Sequence, residues 1–160
     1  MRLVSWREIA LSFGLALLLS IVSMPEILRP LRPDWVALTL IFWCLVRPDT
    51  IGIWTALGVG VFLDALSATL LGQHALGLIF IAYLTLGWQP WLRHLPPWRQ
   101  VWVVFALLLV YRLVLLWVIS VVSQLPHKPD YWWPVVSGAV LWPWFYVLQC
   151  FLWPQARGGK

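Results

Sequence analysis

Few side chains in this sequence can do chemistry, and two of them sit where charge is costly. Asp64 interrupts the apolar run 51–71, and Arg112 interrupts the apolar run 101–125. An isolated charge at the centre of a membrane helix costs about 2.5–3.5 kcal/mol on insertion scales, so each needs a partner. Arg112 finds none on its own segment, because Leu108, Leu109, Leu115 and Leu116 occupy the neighbouring helical positions. Asp64 lies 13 residues beyond Ile51 and Arg112 lies 11 beyond Val101. At 1.5 Å per residue those are depths of about 20 and 17 Å, within one helical turn of each other. The expectation is an intramembrane ion pair, Asp64 with Arg112. The alternative is a protonated Asp64 and an Arg112 that extends its charge towards an interface.

Other chemistry is absent from the sequence. It has no Gly-x-Ser-x-Gly elbow, no His-Glu-x-x-His and no glycine-rich phosphate loop. His74, His94 and His127 are assigned to loops, the last two on opposite sides of a membrane. No two carboxylates share a face of an apolar segment. Cys44 and Cys150 lie inside apolar runs and read as small core residues rather than a disulfide or metal pair. The expectation is therefore no enzyme, no metal and no cofactor. A channel is discounted too, since one acid and one base do not line a conduction path.

The elements that must position these residues are membrane helices. Of the 160 residues, 62% are hydrophobic and 11% charged, where a soluble domain carries about 25% charged. That excludes a soluble enzyme, a disordered tail and a disulfide-stapled module. The net charge of +5 reads as loop residues anchoring a membrane protein, not as a nucleic-acid surface. A spanning helix needs about 20 apolar residues. Six candidates occur, at 9–24, 34–46, 51–71, 75–92, 101–125 and 131–153, forming one domain over 1–160. The fold expected is an all-α bundle of six transmembrane helices. The first segment lacks a small-x-small cleavage site before Pro25 and is taken as retained. Seven loop basic residues (Arg2, Arg7, Arg47, Arg93, Arg99, Arg157, Lys160) face three (Arg29, Arg32, Lys128). The basic side is the cytoplasmic one, so both termini are expected there.

Three segments carry more than a span. The short second one begins at Pro33-Asp34-Trp35, with Pro suited to a first turn and Asp able to cap free N–H groups. It reads either as a short helix in a thinned bilayer or as a re-entrant start below an outward-facing depression. In the third, Gly52, Ala56, Gly60, Asp64, Ala68 and Gly72 form an i, i+4 row of small residues around the acid. Such a row lets helix backbones approach, within the bundle or against a partner. The first segment has a weaker version in Ser12, Ala16 and Ser20. In the sixth, Pro143 with Gly138 predicts a kink. Most of the 14 Trp fall near predicted helix ends, as an aromatic belt. Trp43, Trp117, Trp142 and Trp144 lie deeper and read as packing, with a ligand pocket as the alternative.

Three motifs in register resemble a known family. They are Arg32-Pro33-Asp34-Trp35, then Leu63-Asp64 followed by Leu71-Gly72-Gln73-His74-Ala75-Leu76, and Gly138-Ala139-Val140-Leu141-Trp142-Pro143-Trp144. Together they look like MreD, the bacterial rod shape-determining membrane proteins, over most of the chain. The resemblance implies a non-enzymatic scaffold or regulator in the cytoplasmic membrane. Its implied partners are MreC, the actin-like MreB system, a SEDS-type glycosyltransferase and a class B penicillin-binding protein. MreC is then also a possible partner for either buried charge. The family is in turn similar to the six-helix substrate-binding subunits of vitamin uptake (ECF-type) transporters. That supplies a second reading, a small-molecule-binding subunit with an outward pocket. Against it, the pocket candidates in the sequence are mostly apolar.

Overall fold

The structure, a computed structural model, describes residues 6–22, 31–122 and 129–154. The described residues form six α-helices: α1 (Trp6–Ile21), α2 (Trp35–Val46), α3 (Ile53–Ser67), α4 (Gln73–Leu92), α5 (Pro97–Val122) and α6 (Trp133–Leu152). A 3-10 turn, Pro129–Trp132, leads into α6. The span ends expected at 23–24 and 123–125 lie outside the described residues, as do Arg2, Arg29, His127, Lys128, Arg157 and Lys160.

Three helices, α4, α5 and α6, are long and apolar enough to cross a membrane, and α2 and α3 are shorter apolar helices. α2 is the axis of the bundle. Every residue from Val36 to Leu45 is buried, covered by α1, α4 and α6. Its sequence, WVALTLIFWCLV, is apolar on all sides, as a helix surrounded by other helices must be. The outer helices expose apolar side chains in turn: Leu11 and Leu18 on α1, Trp102 and Val121 on α5, Val140 and Phe151 on α6. An apolar outside around an apolar inside is the solution of a protein whose solvent is lipid.

α3 is shorter than the expected span 51–71. It closes at Ala68, which has a left-handed backbone (φ 49°) and donates its N–H to the Asp64 carbonyl. The chain then turns through Gly72 (φ 99°), where a side chain would be strained, and starts α4 at Gln73. The i, i+4 row is therefore broken after Asp64: Ala68 and Gly72 belong to the turn, not to a helix face. Gly52 precedes α3 in extended backbone. Ala56 is fully buried. Gly60 meets α4 directly, and a Cβ built on it would clash with the Ala75 backbone.

Of the four deep tryptophans, Trp43 and Trp142 are fully buried and Trp117 and Trp144 are exposed. The reading as packing holds for the first pair only. The Trp43 indole N–H donates to Ser12 Oγ (2.6 Å), tying α2 to α1. The Trp142 indole N–H donates to Gln100 Oε1 (3.0 Å), tying α6 to α5. α6 continues through Pro143 as one helix. Cys44 and Cys150 are free and buried.

Candidate functional site: a polar cavity at one end of the bundle

Asp64 and Arg112 do not pair. Each charge is held, but by a different partner. Asp64, fully buried in the last turn of α3, turns its carboxylate to the start of α4. Oδ2 accepts the N–H groups of Gly72 (2.8 Å) and Ala75 (3.3 Å). Oδ1 accepts the N–H of His74 (2.9 Å) and the hydroxyl of Thr69 (3.1 Å). His74 Nδ1 also lies 2.7 Å from Oδ1, an ion pair when the imidazole is protonated. The first N–H groups of a helix have no partner within it. Gly72 at the N-cap has no side chain to serve them, so Asp64 caps α4 from the preceding helix. A carboxylate suits that end of the helix dipole. His74 is thus the second residue of α4, not a loop residue as expected.

Arg112 pairs with Asp34. The guanidinium Nε and Nη2 donate to the two carboxylate oxygens at 3.0 and 2.8 Å. This fork-on-fork geometry is the strongest that a carboxylate and an arginine make. Asp34, expected to cap α2 with its side chain, makes no cap bond; its oxygens are taken by Arg112. The cause of the changed partner is partly register. α5 begins at Pro97, four residues before the expected Val101. Arg112 therefore stands 15 residues along its helix, about 22 Å from the start, while Asp64 stands 11 residues beyond Ile53, about 17 Å along α3, so their depths differ by about one full turn. That brings it level with the residues preceding α2. Tyr131, in the 3-10 turn, adds a third contact. Its hydroxyl donates to the Arg112 carbonyl (3.3 Å), and its ring lies 5.0 Å from the guanidinium carbon.

These groups surround a cavity of about 300 Å³, and its wall includes Arg32, Asp34, His74, Tyr111, Arg112 and Tyr131. Each comes from near an element's end or from the segment that leads into one, except Tyr111 and Arg112, which sit in the second half of α5. Arg32 reaches back to donate to the Leu19 carbonyl of α1 (2.6 Å). The expectation of a mostly apolar pocket is corrected here. Polar groups converge, because the ends of helices bring together the charges that their apolar middles exclude. Of the segment Pro33-Asp34-Trp35, Pro33 and Asp34 lie in the wall of this cavity. Trp35 points elsewhere, into an apolar groove along α6 beside Pro143 and Trp144.

Sequence reasoning missed Arg32, His74, Tyr111 and Tyr131 as site residues. His74 had a signal: a histidine two residues after a turn glycine, ten beyond a buried acid. Tyr111 and Tyr131 had none. No group of three or more metal-ligating side chains occurs among the described residues.

Two of the three motif segments meet at this site, and the third packs nearby without lining it. Arg32 and Asp34 come from the first, Asp64 and His74 from the second, and Gly138 of the third packs against Leu108 of α5. A family model, rod shape-determining protein MreD, matches residues 1–151. The chain belongs to the MreD family. A curated relative, the rod shape-determining protein MreD of Haemophilus influenzae, is 28% identical over 151 residues, covering 92% of this chain and 91% of that one. No solved structure matches the chain. For an MreD-family chain, a role in cell shape follows from the family, and the long apolar helices fit a membrane protein.

Proposed function

We propose that this protein is a non-enzymatic scaffold and regulator of the bacterial cell-elongation complex, seated in the cytoplasmic membrane. In this reading six helices span the bilayer and both termini are cytoplasmic. It acts with MreC, and beside MreB, a SEDS-type glycosyltransferase and a class B penicillin-binding protein that build peptidoglycan. The observation that carries the reading is family membership across residues 1–151. The fold is consistent with it. Nearly all the described mass lies in apolar helices, so partners are met chiefly within the bilayer. The groove beside Pro143, whose ring and missing N–H favour a kink, is a candidate face for a partner's transmembrane helix.

A second reading, a small-molecule-binding subunit of an uptake transporter, is favoured by one observation, the polar cavity. One experiment separates the two: cross-linking in native membranes, purification, and identification of what is recovered. MreC with cell-wall synthases supports the scaffold. A transporter ATPase module without them overturns it. A reporter fused after Lys160 should work only if it is a cytoplasmic one; periplasmic activity there would overturn the orientation.

A further inference from the structure

We propose that the cavity at the start of α2 binds a phosphate group, held chiefly by the Arg32 guanidinium and the Tyr111 hydroxyl. This goes beyond the cell-shape reading and depends only on the protein's placement in a membrane.

Charge is the first argument. The cavity wall includes two guanidinium groups, Arg32 and Arg112, and one carboxylate, Asp34. Asp34 is committed to Arg112 through both oxygens. His74 is likewise committed to Asp64. Arg32 is left in surplus: among the described residues its bond is to the neutral Leu19 carbonyl, and no carboxylate pairs with it. A guanidinium in a partly buried wall favours an oxyanion that can take its remaining donors in a planar fork.

Tyr111 is the second argument. It lines the cavity, is 1% exposed, and its hydroxyl has no hydrogen-bond partner among the described residues. A hydroxyl that borders a cavity is placed to donate to what fills it. The Tyr111 ring cannot turn away freely, since it lies against Gly77 of α4.

Size and depth select phosphate. A volume of about 300 Å³ is at the small end of ligand sites, suited to a compact polar group. The cavity lies at the ends of α1 and α3 and the beginnings of α2, α4 and α6. Beside it, at the start of α6, Trp132 and Trp133 are exposed, as residues at headgroup level are. The oxyanion present at that depth in every bilayer is the phospholipid phosphate. A soluble phosphate could reach the same donors from the aqueous side, so the chemistry is common to two sources.

The test uses the full-length protein in detergent, titrated separately with dihexanoyl phosphatidylglycerol, inorganic phosphate and phosphate-free dihexanoylglycerol, with tryptophan fluorescence as the readout. At least one phosphate probe should bind saturably and dihexanoylglycerol should not. Binding of the lipid alone assigns a headgroup; binding of inorganic phosphate as well assigns any phosphate. Arg32→Gln and Tyr111→Phe should each weaken binding about tenfold, as loss of a charged hydrogen bond does. Arg93→Gln, exposed at the other end of α4, should bind as the parent protein. Tyr111→Phe removes only an oxygen and so keeps the test valid should Arg32→Gln fold poorly. The proposal is overturned if neither phosphate probe saturates, if dihexanoylglycerol binds equally well, or if both variants bind unchanged.

Discussion

Asp34 and Arg112 supply the sharpest test of the reasoning, because a sequence argument and the tertiary structure name different partners for the same arginine. In Asp34→Leu the guanidinium keeps its charge and loses two bonds, at 3.0 and 2.8 Å. In Arg112→Leu the carboxylate is stranded. A hydrogen bond to a charged group contributes about 1.5–3 kcal/mol. The side chains are 15% and 21% exposed, so solvent takes back part of that. A coupling of about 2–3 kcal/mol is expected, and the double variant should be less damaged than the sum of the singles. For a chain of this length 1 kcal/mol moves Tm by about 2–4 °C, so the non-additivity should be about 4–12 °C. The assay is a double-mutant cycle read by thermal unfolding in detergent, run beside the same cycle for Asp64 and Arg112. The second cycle should be additive within about 0.5 kcal/mol, since those residues share no bond. A larger coupling for Asp64 with Arg112 than for Asp34 with Arg112 would refute the assignment.

Three further outcomes follow from particular contacts. Gly60→Leu should collapse the yield of folded protein, because even a Cβ there meets the Ala75 backbone, whereas Gly87→Leu has nothing within 4 Å and should be tolerated; equal yields would count against the α3–α4 contact. Ser12→Ala should cost about 1–3 kcal/mol, read as a lower Tm, because it leaves the buried Trp43 N–H without its acceptor; an unchanged Tm would count against that bond. Cys44 and Cys150, both buried, should react with a water-soluble maleimide only after denaturation, with labelling followed by mass; rapid labelling of the native protein would place them at a surface.

By itself the sequence determined a composition that fits a membrane protein, six apolar segments, and where α2 lies to within a residue. Those follow from composition and from Pro33 and Pro48 on either side of α2, which are local properties. The motifs also sufficed to name the family. Only the tertiary structure decided which charge meets which. Depth along a helix depends on where that helix begins, and Pro97, not Val101, opens α5. Asp64 was likewise claimed by backbone N–H groups that become donors only when the chain reverses at Gly72. Nor could the sequence say that Trp43 and Trp142 are inside while Trp117 and Trp144 are outside. In water, a helix announces its buried face by the polar residues opposite. In lipid both faces are apolar, the periodic signal vanishes, and only packing distinguishes them. The cavity was illegible for a related reason: its wall is assembled from residues as far apart as Arg32 and Tyr131, and no pattern within one segment encodes their meeting.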